Sequence, residues 1–109
     1  MTAEIKENRE QRVVVGLGFT GLSCARYLYQ RGLHFSVIDT RAEPPALNEL
    51  RDEMPDIEVF TGDYPPDVVS SAVELIVSPG IAIDAPIVLQ AQAVGTDVVG
   101  DIDLFMREA

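Results

Sequence analysis

The residues with the clearest chemical meaning are three glycines, Gly16, Gly18 and Gly21. They directly follow Val13 to Val15, a β-branched run typical of a strand buried on both faces. Gly16 permits a tight turn, Gly18 lets a phosphate-bearing ligand approach the backbone, and Gly21 allows a helix to pack closely on the strand. A helix starting here would direct free N–H groups and a partial positive charge at the ligand. The pattern therefore predicts an anion-binding turn.

A second group of polar residues follows the second predicted strand, residues 34–39. The strand ends in Asp39, at the place where dinucleotide-binding folds carry an acid that binds ribose hydroxyls, about 20 residues past the glycines. Thr40 and Arg41 come next. An arginine here could stack on a base, pair with a phosphate, or simply be solvated, and the residues alone do not decide between these roles.

A third candidate loop follows the fourth predicted strand and contains Ser78, Pro79 and Gly80. A hydroxyl, a rigid proline and a glycine that permits close approach suit a ligand-binding loop, although an ordinary turn would use the same residue types. The case for binding depends on whether the fold brings the three loops together.

The elements that must position these loops alternate along the chain. Strands are predicted at residues 13–15, 34–39, 57–61, 75–77 and 96–99, separated by helix-forming stretches of which the first covers residues 22–31. This alternation implies parallel pairing through right-handed crossovers. We predict an α/β fold, a Rossmann-like open parallel sheet of about five strands with helices on both faces. The three loops would then meet at the carboxyl-terminal edge of the sheet, where such sheets bind ligands.

Length and charge limit what the protein can be. At 109 residues with 47% apolar side chains, the chain can form one core and not two. Its 18 acidic residues against 8 basic ones give a formal net charge of −10, which argues against nucleic acid or an anionic membrane as a partner. Residues 1–11 are polar and mixed in charge, so we expect a loose lead-in there, no signal peptide, and a cytoplasmic location.

Few groups suit catalysis or metal binding. Cys24 is the single cysteine, which excludes an internal disulfide and a cysteine-cluster metal site. It lies on the apolar side of the first predicted helix, where a small buried thiol is expected. His34 has no partner visible in the sequence and is expected to be structural or solvent-facing. We therefore assign no catalytic residue and no metal ligand.

Four segments together resemble those of one enzyme family. They are GLGFTGLS at residues 16–23, DTR at 39–41, SPGI at 78–81 and VGDIDLF at 99–105. In sequence and spacing they are similar to the amino-terminal domain of the Mur ligases of peptidoglycan synthesis, and most of all to the members that add D-glutamate. A generic dinucleotide-binding domain has no reason to carry DTR and SPGI at these two positions.

The resemblance implies that residues 12–109 form a domain that is Rossmann-like but holds the UDP part of UDP-N-acetylmuramoyl-L-alanine in place of NAD. The glycine turn would meet the diphosphate, the second loop the uracil, and the third loop the region near the sugar and diphosphate. Asp39, which the residues alone suggest as a ribose ligand, thereby becomes a base ligand. The implied contact residues are Gly18, Phe19, Thr20, Gly21, Asp39, Thr40, Arg41, Ser78, Pro79 and Gly80.

The resemblance also implies partners and cofactors outside this chain. Complete enzymes of the family have a central ATPase domain and a carboxyl-terminal domain, which use ATP and Mg²⁺ to phosphorylate the substrate carboxylate before D-glutamate attacks it. Here no G-x-x-x-x-G-K-[ST] loop occurs, and Lys6 is the only lysine. We therefore expect a single domain without a cofactor of its own, separated from its ATPase and carboxyl-terminal partners and inactive as a ligase alone.

Two other functions fit part of the sequence. A stand-alone NAD-binding or nucleotide-sensing Rossmann domain needs only the glycine pattern and Asp39, and it leaves Thr40, Arg41 and the SPGI segment unexplained. A purely structural domain would use the glycines only to pack helix on sheet. Binding of UDP, of UDP-N-acetylmuramoyl-L-alanine or of NAD would separate the three.

Overall fold

Strands and helices alternate throughout the computed structural model, which describes residues 10–81 and 85–108. The strands are β1 (Arg12–Val15), β2 (Phe35–Asp39), β3 (Val59–Thr61), β4 (Glu74–Val77) and β5 (Asp97–Gly100). The helices are α1 (Phe19–Gln30), α2 (Leu47–Glu53), α3 (Pro66–Ser70), α4 (Pro86–Ala93) and α5 (Asp101–Glu108). No helix in these described ranges is long and apolar enough to cross a membrane.

The five strands form one parallel sheet in the order β3-β2-β1-β4-β5. Val14 on β1 is aligned with Val37 on β2 and with Ile76 on β4, so β1 lies at the centre. The chain first builds outward from β1 through β2 and β3, and then crosses to the other side of β1 to add β4 and β5. The reversal leaves a crevice beyond the carboxyl ends of β1 and β4, the position at which open α/β sheets bind ligands.

The sheet divides the apolar core of the domain into two parts, one on each face. Val14 belongs to the core covered by α1, α2 and α5, whereas Val13 and Val15 belong to the core covered by α3 and α4. Successive residues of a strand point to opposite faces, so a strand apolar at every position is explained by helices on both sides. The predicted fold class, a Rossmann-like parallel sheet with helices on both faces, is confirmed.

Helix α1 begins at Phe19, three residues before the predicted start at Leu22, because Gly21 already packs in its first turn. It ends at Gln30, one residue before the predicted end. Gly32 adopts a φ of +70°, in the left-handed region that favours glycine, and the Leu33 amide donates back to the Leu28 carbonyl at 3.1 Å. Residues 1–9 of the predicted lead-in lie outside the described residues.

Helix α5 runs back from the end of β5 and docks beside α1. Leu104 is fully buried, and the rings of Phe105 and Tyr27 meet edge to face with their centroids 5.4 Å apart. At the last turn of the helix, two guanidinium nitrogens of Arg107 donate to the Glu74 carboxylate, each at 2.9 Å. Apolar packing and an ion pair thus fix α5 to the sheet.

Candidate functional site

The three candidate loops meet at the carboxyl edge of the sheet and line one cavity of about 780 Å³. All of the predicted contact residues line it except Gly21, which is buried beneath the turn. The cavity-lining residues of the prediction are Gly18, Phe19, Thr20, Asp39, Thr40, Arg41, Ser78, Pro79 and Gly80. The prediction that these loops converge therefore agrees with the geometry, whereas their contact with a ligand stays a prediction.

The three glycines of the turn have different structural reasons. Gly16 has a φ of +98°, and a Cβ there would lie 3.0 Å from the Ser78 hydroxyl oxygen. A Cβ on Gly21 would lie 1.8 Å from the Gly16 carbonyl oxygen, a distance that forbids any side chain. A Cβ on Gly18 would meet nothing within 4 Å. Packing thus requires Gly16 and Gly21, whereas Gly18 leaves open space at the cavity.

The amino terminus of α1 opens onto the same space. Gly18 occupies the N-cap position, no side chain caps the helix, and its first turn contains no acidic residue. The first amides of a helix lack intrahelical partners and carry the positive end of the helix dipole. Phe19, 71% exposed, and Thr20 stand on this first turn and line the cavity. The site therefore offers backbone donors to an anion without a competing side chain.

Asp39 ties the second loop to the glycine turn. Its carboxylate is buried, and its Oδ2 accepts hydrogen bonds from the Leu17 amide at 2.7 Å and from Nη2 of Arg41 at 2.7 Å. Its Oδ1 accepts from the Arg41 amide at 2.8 Å and from Nε of Arg41 at 3.0 Å. An ionised carboxylate has about four acceptor positions, and these four bonds occupy them.

Charge and burial act in opposite directions on this carboxylate. Burial by itself would raise the pKa of Asp39, but the hydrogen bonds from the Arg41 side chain and the Leu17 amide outweigh burial, so the pKa lies below its ordinary value. The same pairing raises the pKa of Arg41. Arg41 is 55% exposed and is held by its Nε and Nη2 edge. The pair thus presents a fixed, planar cation at the cavity.

The third loop is attached to the first. The Ser78 amide donates to the Val15 carbonyl at 3.2 Å, and the Ser78 hydroxyl makes a long contact of 3.5 Å with the Gly16 carbonyl. The Ile81 amide closes the turn on the Ser78 carbonyl at 3.0 Å. Pro79 and Gly80 stand exposed at the tip of this turn. The Ser78 loop is therefore positioned by the glycine turn against which it packs.

Two segments that were not predicted from the sequence also line the cavity. One is the loop after β3, with Gly62, Asp63 and Tyr64, and the other is the start of α4 at Ala85 and Pro86. Since β3 is parallel to its neighbours, its carboxyl end had to reach the same edge, so the rim argument applied to that strand could have found the first segment. No comparable signal marks the start of α4.

Tyr64 connects these two additional segments. Its hydroxyl donates to Oε1 of Gln90 on α4 at 3.3 Å, and burial raises its pKa. The Gly62 amide donates to the Asp39 carbonyl at 2.9 Å, which joins the β3 loop to the β2 loop. Asp63 adds a second carboxylate to the cavity. Arg41 is thus the one basic side chain among the described residues that line it.

Cys24 and His34, the two side chains considered for catalysis or metal binding, both lie outside the cavity. Cys24 is buried, and burial together with the charge of Asp101 raises the pKa of its thiol to about 11, so it is neutral at pH 7. His34 is exposed and precedes β2, at the opposite end of the strands from the cavity. In the described ranges, no three metal-ligating side chains are grouped closely enough to hold an ion. The groups that line the cavity, which are backbone amides, hydroxyls and one guanidinium, therefore suit the binding of a ligand.

Comparison with known proteins identifies this architecture. A family model described as "Mur ligase MurD-like, N-terminal domain" matches residues 10–100. The UDP-N-acetylmuramoylalanine–D-glutamate ligase of Pseudomonas aeruginosa is 51% identical over 98 residues, which are 90% of this chain and 22% of the relative. That of Pseudomonas putida is 44% identical over 109 residues, all of this chain and 24% of the relative. The chain thus spans about a quarter of these curated relatives.

Solved structures show the same fold at lower identity. A pseudomurein peptide ligase type C from Methanothermus fervidus has a TM-score of 0.74 at 18% identity, over 89% of this chain and 20% of that one. A minor L-lactate dehydrogenase from Enterococcus mundtii has a TM-score of 0.57 at 21% identity, over 85% and 37% of the two chains. At these identities the likeness concerns the fold alone.

Proposed function

This chain belongs to the family of MurD-like N-terminal domains of Mur ligases, and from that premise we propose that it binds the UDP part of UDP-N-acetylmuramoyl-L-alanine. In a chain of the relatives' length, it would hold this substrate for the addition of D-glutamate in peptidoglycan synthesis. The observation that carries the proposal is the amino terminus of α1, which opens uncapped onto the cavity beside Gly18.

The diphosphate is assigned to the amino terminus of α1. The amides of Phe19 and Thr20 lie in the first helical turn, where unpaired donors and the helix dipole favour an anion. Gly18 supports this assignment because the space where its Cβ would stand is empty. Ser78, Pro79 and Gly80, on the other side of the glycine turn, are assigned to the adjoining part of the substrate near the sugar.

The uracil is assigned to the loop after β2. Arg41 would stack its planar guanidinium against the base, and Thr40 would hydrogen-bond the base edge. Asp39 has its four acceptor positions occupied by Leu17 and Arg41. We therefore assign Asp39 the positioning of Arg41 and of the glycine turn, in place of direct contact with the base.

The same occupancy weighs against a stand-alone NAD-binding domain. In such domains the acid at this position accepts hydrogen bonds from ribose hydroxyls. Ribose would have to displace Arg41 from a buried carboxylate to do so here. The likeness to a lactate dehydrogenase concerns the fold and does not favour this alternative.

The proposal extends to the whole protein. Ligation would require ATP and Mg²⁺, bound by the ATPase part of a complete chain and not by this domain, which needs no cofactor for binding UDP. The 109-residue chain alone would therefore bind substrate without ligating it. A cytoplasmic location and partnership with the ATPase and carboxyl-terminal domains belong to the same proposal.

The decisive experiment follows backbone amide shifts while the ¹⁵N-labelled chain is titrated with UDP, UDP-N-acetylmuramoyl-L-alanine and NAD. We expect both uridine nucleotides to shift the amides of residues 18–20, 40–41 and 78–80. A response of these amides to NAD alone would reject the proposal. Silence towards all three ligands at millimolar concentration would favour a purely structural domain.

A pair of glycine substitutions makes this experiment specific. Gly18→Ala places a methyl group in the open space of the cavity, so we expect UDP affinity to fall at least about tenfold, or about 1.4 kcal/mol. Gly100→Ala is the matched control, because Gly100 does not line the cavity and its Cβ would make only an ordinary contact of 3.6 Å with Asp103. Equal affinities of the two variants for UDP would contradict the assignment of the diphosphate to the amino terminus of α1.

A further inference from the structure

Helix α5 exposes two large apolar side chains on one face. Ile102 is 66% exposed and Met106 is 75% exposed. They are four residues apart, so they are neighbours along one side of the helix. We refer to Ile102 and Met106 together as the α5 outer strip. Single exposed apolar side chains are ordinary, but two large ones side by side form a continuous apolar patch, the kind of surface at which proteins make contacts.

The opposite side of α5 is firmly held. Leu104 is fully buried, Phe105 packs on Tyr27, and Arg107 is paired with Glu74, which also accepts from Nε of Arg12 at 3.1 Å. At the other end of the helix, the Asp103 carboxylate accepts from the Gly100 amide at 3.2 Å. The α5 outer strip is therefore presented in a fixed orientation, and its exposure does not come from an undocked helix.

The comparisons indicate what covers this strip. The match to the family model of the N-terminal domain ends at residue 100, directly before α5. The Pseudomonas putida ligase nevertheless matches through residue 109 and has about three-quarters of its length outside the match. Helix α5 thus lies just beyond the residues that the family model matches, in sequence that the Pseudomonas putida relative also has. In a chain of that relative's length, α5 would be the element of this domain that is nearest in sequence to the part that follows.

We propose that the α5 outer strip packs against the part of a Mur ligase that follows this domain in chains of the relatives' length. Helix α5 then acts as a two-faced element, with one side in the core of this domain and the other in the interface. This surface rests on family membership and not on nucleotide binding, so it stands or falls separately from the UDP site.

Cysteine accessibility tests the proposal directly. Ile102→Cys and Met106→Cys are prepared in the 109-residue chain and in a long chain in which it replaces the matching first quarter of the Pseudomonas putida ligase. Alkylation by iodoacetamide is followed at each peptide by mass spectrometry, without nucleotide. We expect both positions to react at least about tenfold more slowly in the long chain, because access limits thiol reactivity.

Leu89→Cys and Val94→Cys serve as matched controls. Leu89 lies on α4 and Val94 directly follows that helix; both are 51% exposed, and α4 covers the other face of the sheet. Their rates should agree between the two chains within about twofold. Cys24 is buried and provides the internal reference for a folded domain in each chain. Equal rates at position 106 in the short and long chains would overturn the proposal.

A second measurement does not depend on thiol reactivity. Met106→Glu should leave the melting temperature of the 109-residue chain unchanged, since the side chain is exposed there, and should lower that of the long chain. Unchanged melting of both would contradict the proposal. A third outcome is slow alkylation already in the 109-residue chain, together with a dimer mass by sedimentation equilibrium. That result would show that a second copy of the chain covers the α5 outer strip, and it would also overturn the proposal.

Discussion

Gly18 and Gly21 are three residues apart, yet substitution by alanine should change the stability of the domain at Gly21 only. Gly21→Ala brings a Cβ to 1.8 Å from the Gly16 carbonyl oxygen, so the helix must move off the strand. We expect a loss of about 3 kcal/mol or more in the free energy of unfolding. Gly18→Ala meets nothing within 4 Å and should unfold like the parent chain. Urea unfolding of both variants measures this difference, and equal midpoints would contradict it.

Arg41 contributes to stability as well as to the site, because it supplies two side-chain donors to the buried Asp39 carboxylate. Arg41→Ala should lower the free energy of unfolding by about 1 kcal/mol, a modest figure since the guanidinium is half exposed. Its affinity for UDP should fall further than that of Arg41→Lys, which keeps the charge but loses the planar fork. Calorimetry compares the two affinities for UDP, and equal values would contradict stacking of the Arg41 guanidinium on the uracil.

For single residues, the sequence predicted their positions around the cavity more accurately than their roles there. The loops after β1, β2 and β4 were identified because each begins where an apolar run ends in polar residues or glycines. The pairing of Asp39 with Arg41 was not predicted, since it depends on how the backbone turns between two residues. Gly21 was placed in the site, although its role in packing, also proposed from the sequence, is the one that the geometry supports.

At the scale of elements, Glu74 joins β4 to both β1 and α5 through Arg12 and Arg107. Its carboxylate side chain is only 9% exposed, so Glu74→Gln removes a charge that two guanidinium groups neutralise. We expect a loss of about 1–2 kcal/mol, discounted because Arg107 is itself half exposed. Amide hydrogen exchange should quicken along α5 while the amides of β1 remain protected.

Glu53→Gln is the matched control for that substitution. Glu53 pairs with Arg26 between α1 and α2, and both side chains are exposed. Exposed pairs contribute little, so exchange along α5 should not change in this variant. If Glu74→Gln also left α5 unchanged, apolar packing of Leu104 and Phe105 would be sufficient to hold the helix.

The sequence predicted the kinds of elements more accurately than their edges. Helix α1 was expected to start at Leu22, because glycines normally lie outside helices, but Gly21 falls inside the first turn where its missing Cβ is needed. The loop after β3 was not predicted to belong to the site, although its Gly62 and Asp63 line the cavity. The first error arises because tertiary packing decides the role of Gly21, and the second because the carboxyl end of β3 reaches the same edge of the sheet as the other loops.

For the whole molecule, stability should depend on pH through Asp39 and Glu74. The pKa of each lies below its ordinary value, Asp39 because the hydrogen bonds from Arg41 and Leu17 outweigh burial, and Glu74 because of the hydrogen bonds from Arg107 and Arg12. The unfolded chain then binds more protons than the folded one, so this stabilisation is present above about pH 4 to 5 and is lost as the pH falls through the folded pKa values. Urea midpoints between pH 3 and 7 measure the loss, and Asp39→Asn with Glu74→Gln should flatten it.

The fold class followed from a long-range regularity, the alternation of apolar strands with amphipathic helices, which local detail does not disturb. The strand order was not predicted, because this alternation does not say that the apolar runs at residues 13–15 and 75–77 lie side by side in the sheet. The α5 outer strip could not be predicted in this way. Ile102 and Met106 have the spacing of core residues, and only the packed domain shows that they face outward.

The net charge of −10 leads to a last prediction, because the proposed ligand is itself an anion. The radius of gyration is 13.3 Å, so at 0.01 M salt, with a Debye length of about 30 Å, the whole molecule repels the diphosphate. At 0.1 M the Debye length falls to about 10 Å, and chiefly the local donors of α1 and Arg41 remain effective. UDP affinity should therefore rise by about 3- to 10-fold over this range, the opposite of ordinary phosphate-binding proteins.

Uridine, which carries no phosphate, is the control for this salt dependence. Its affinity should be nearly constant, since neither repulsion nor the helix dipole acts on a neutral ligand. Calorimetric titrations of both ligands at the two salt concentrations measure the effect. If UDP affinity fell with salt as steeply as in a basic phosphate site, attraction by Arg41 and the α1 terminus would exceed the repulsion of the whole molecule. If UDP and uridine behaved alike, the diphosphate would lie outside the glycine turn.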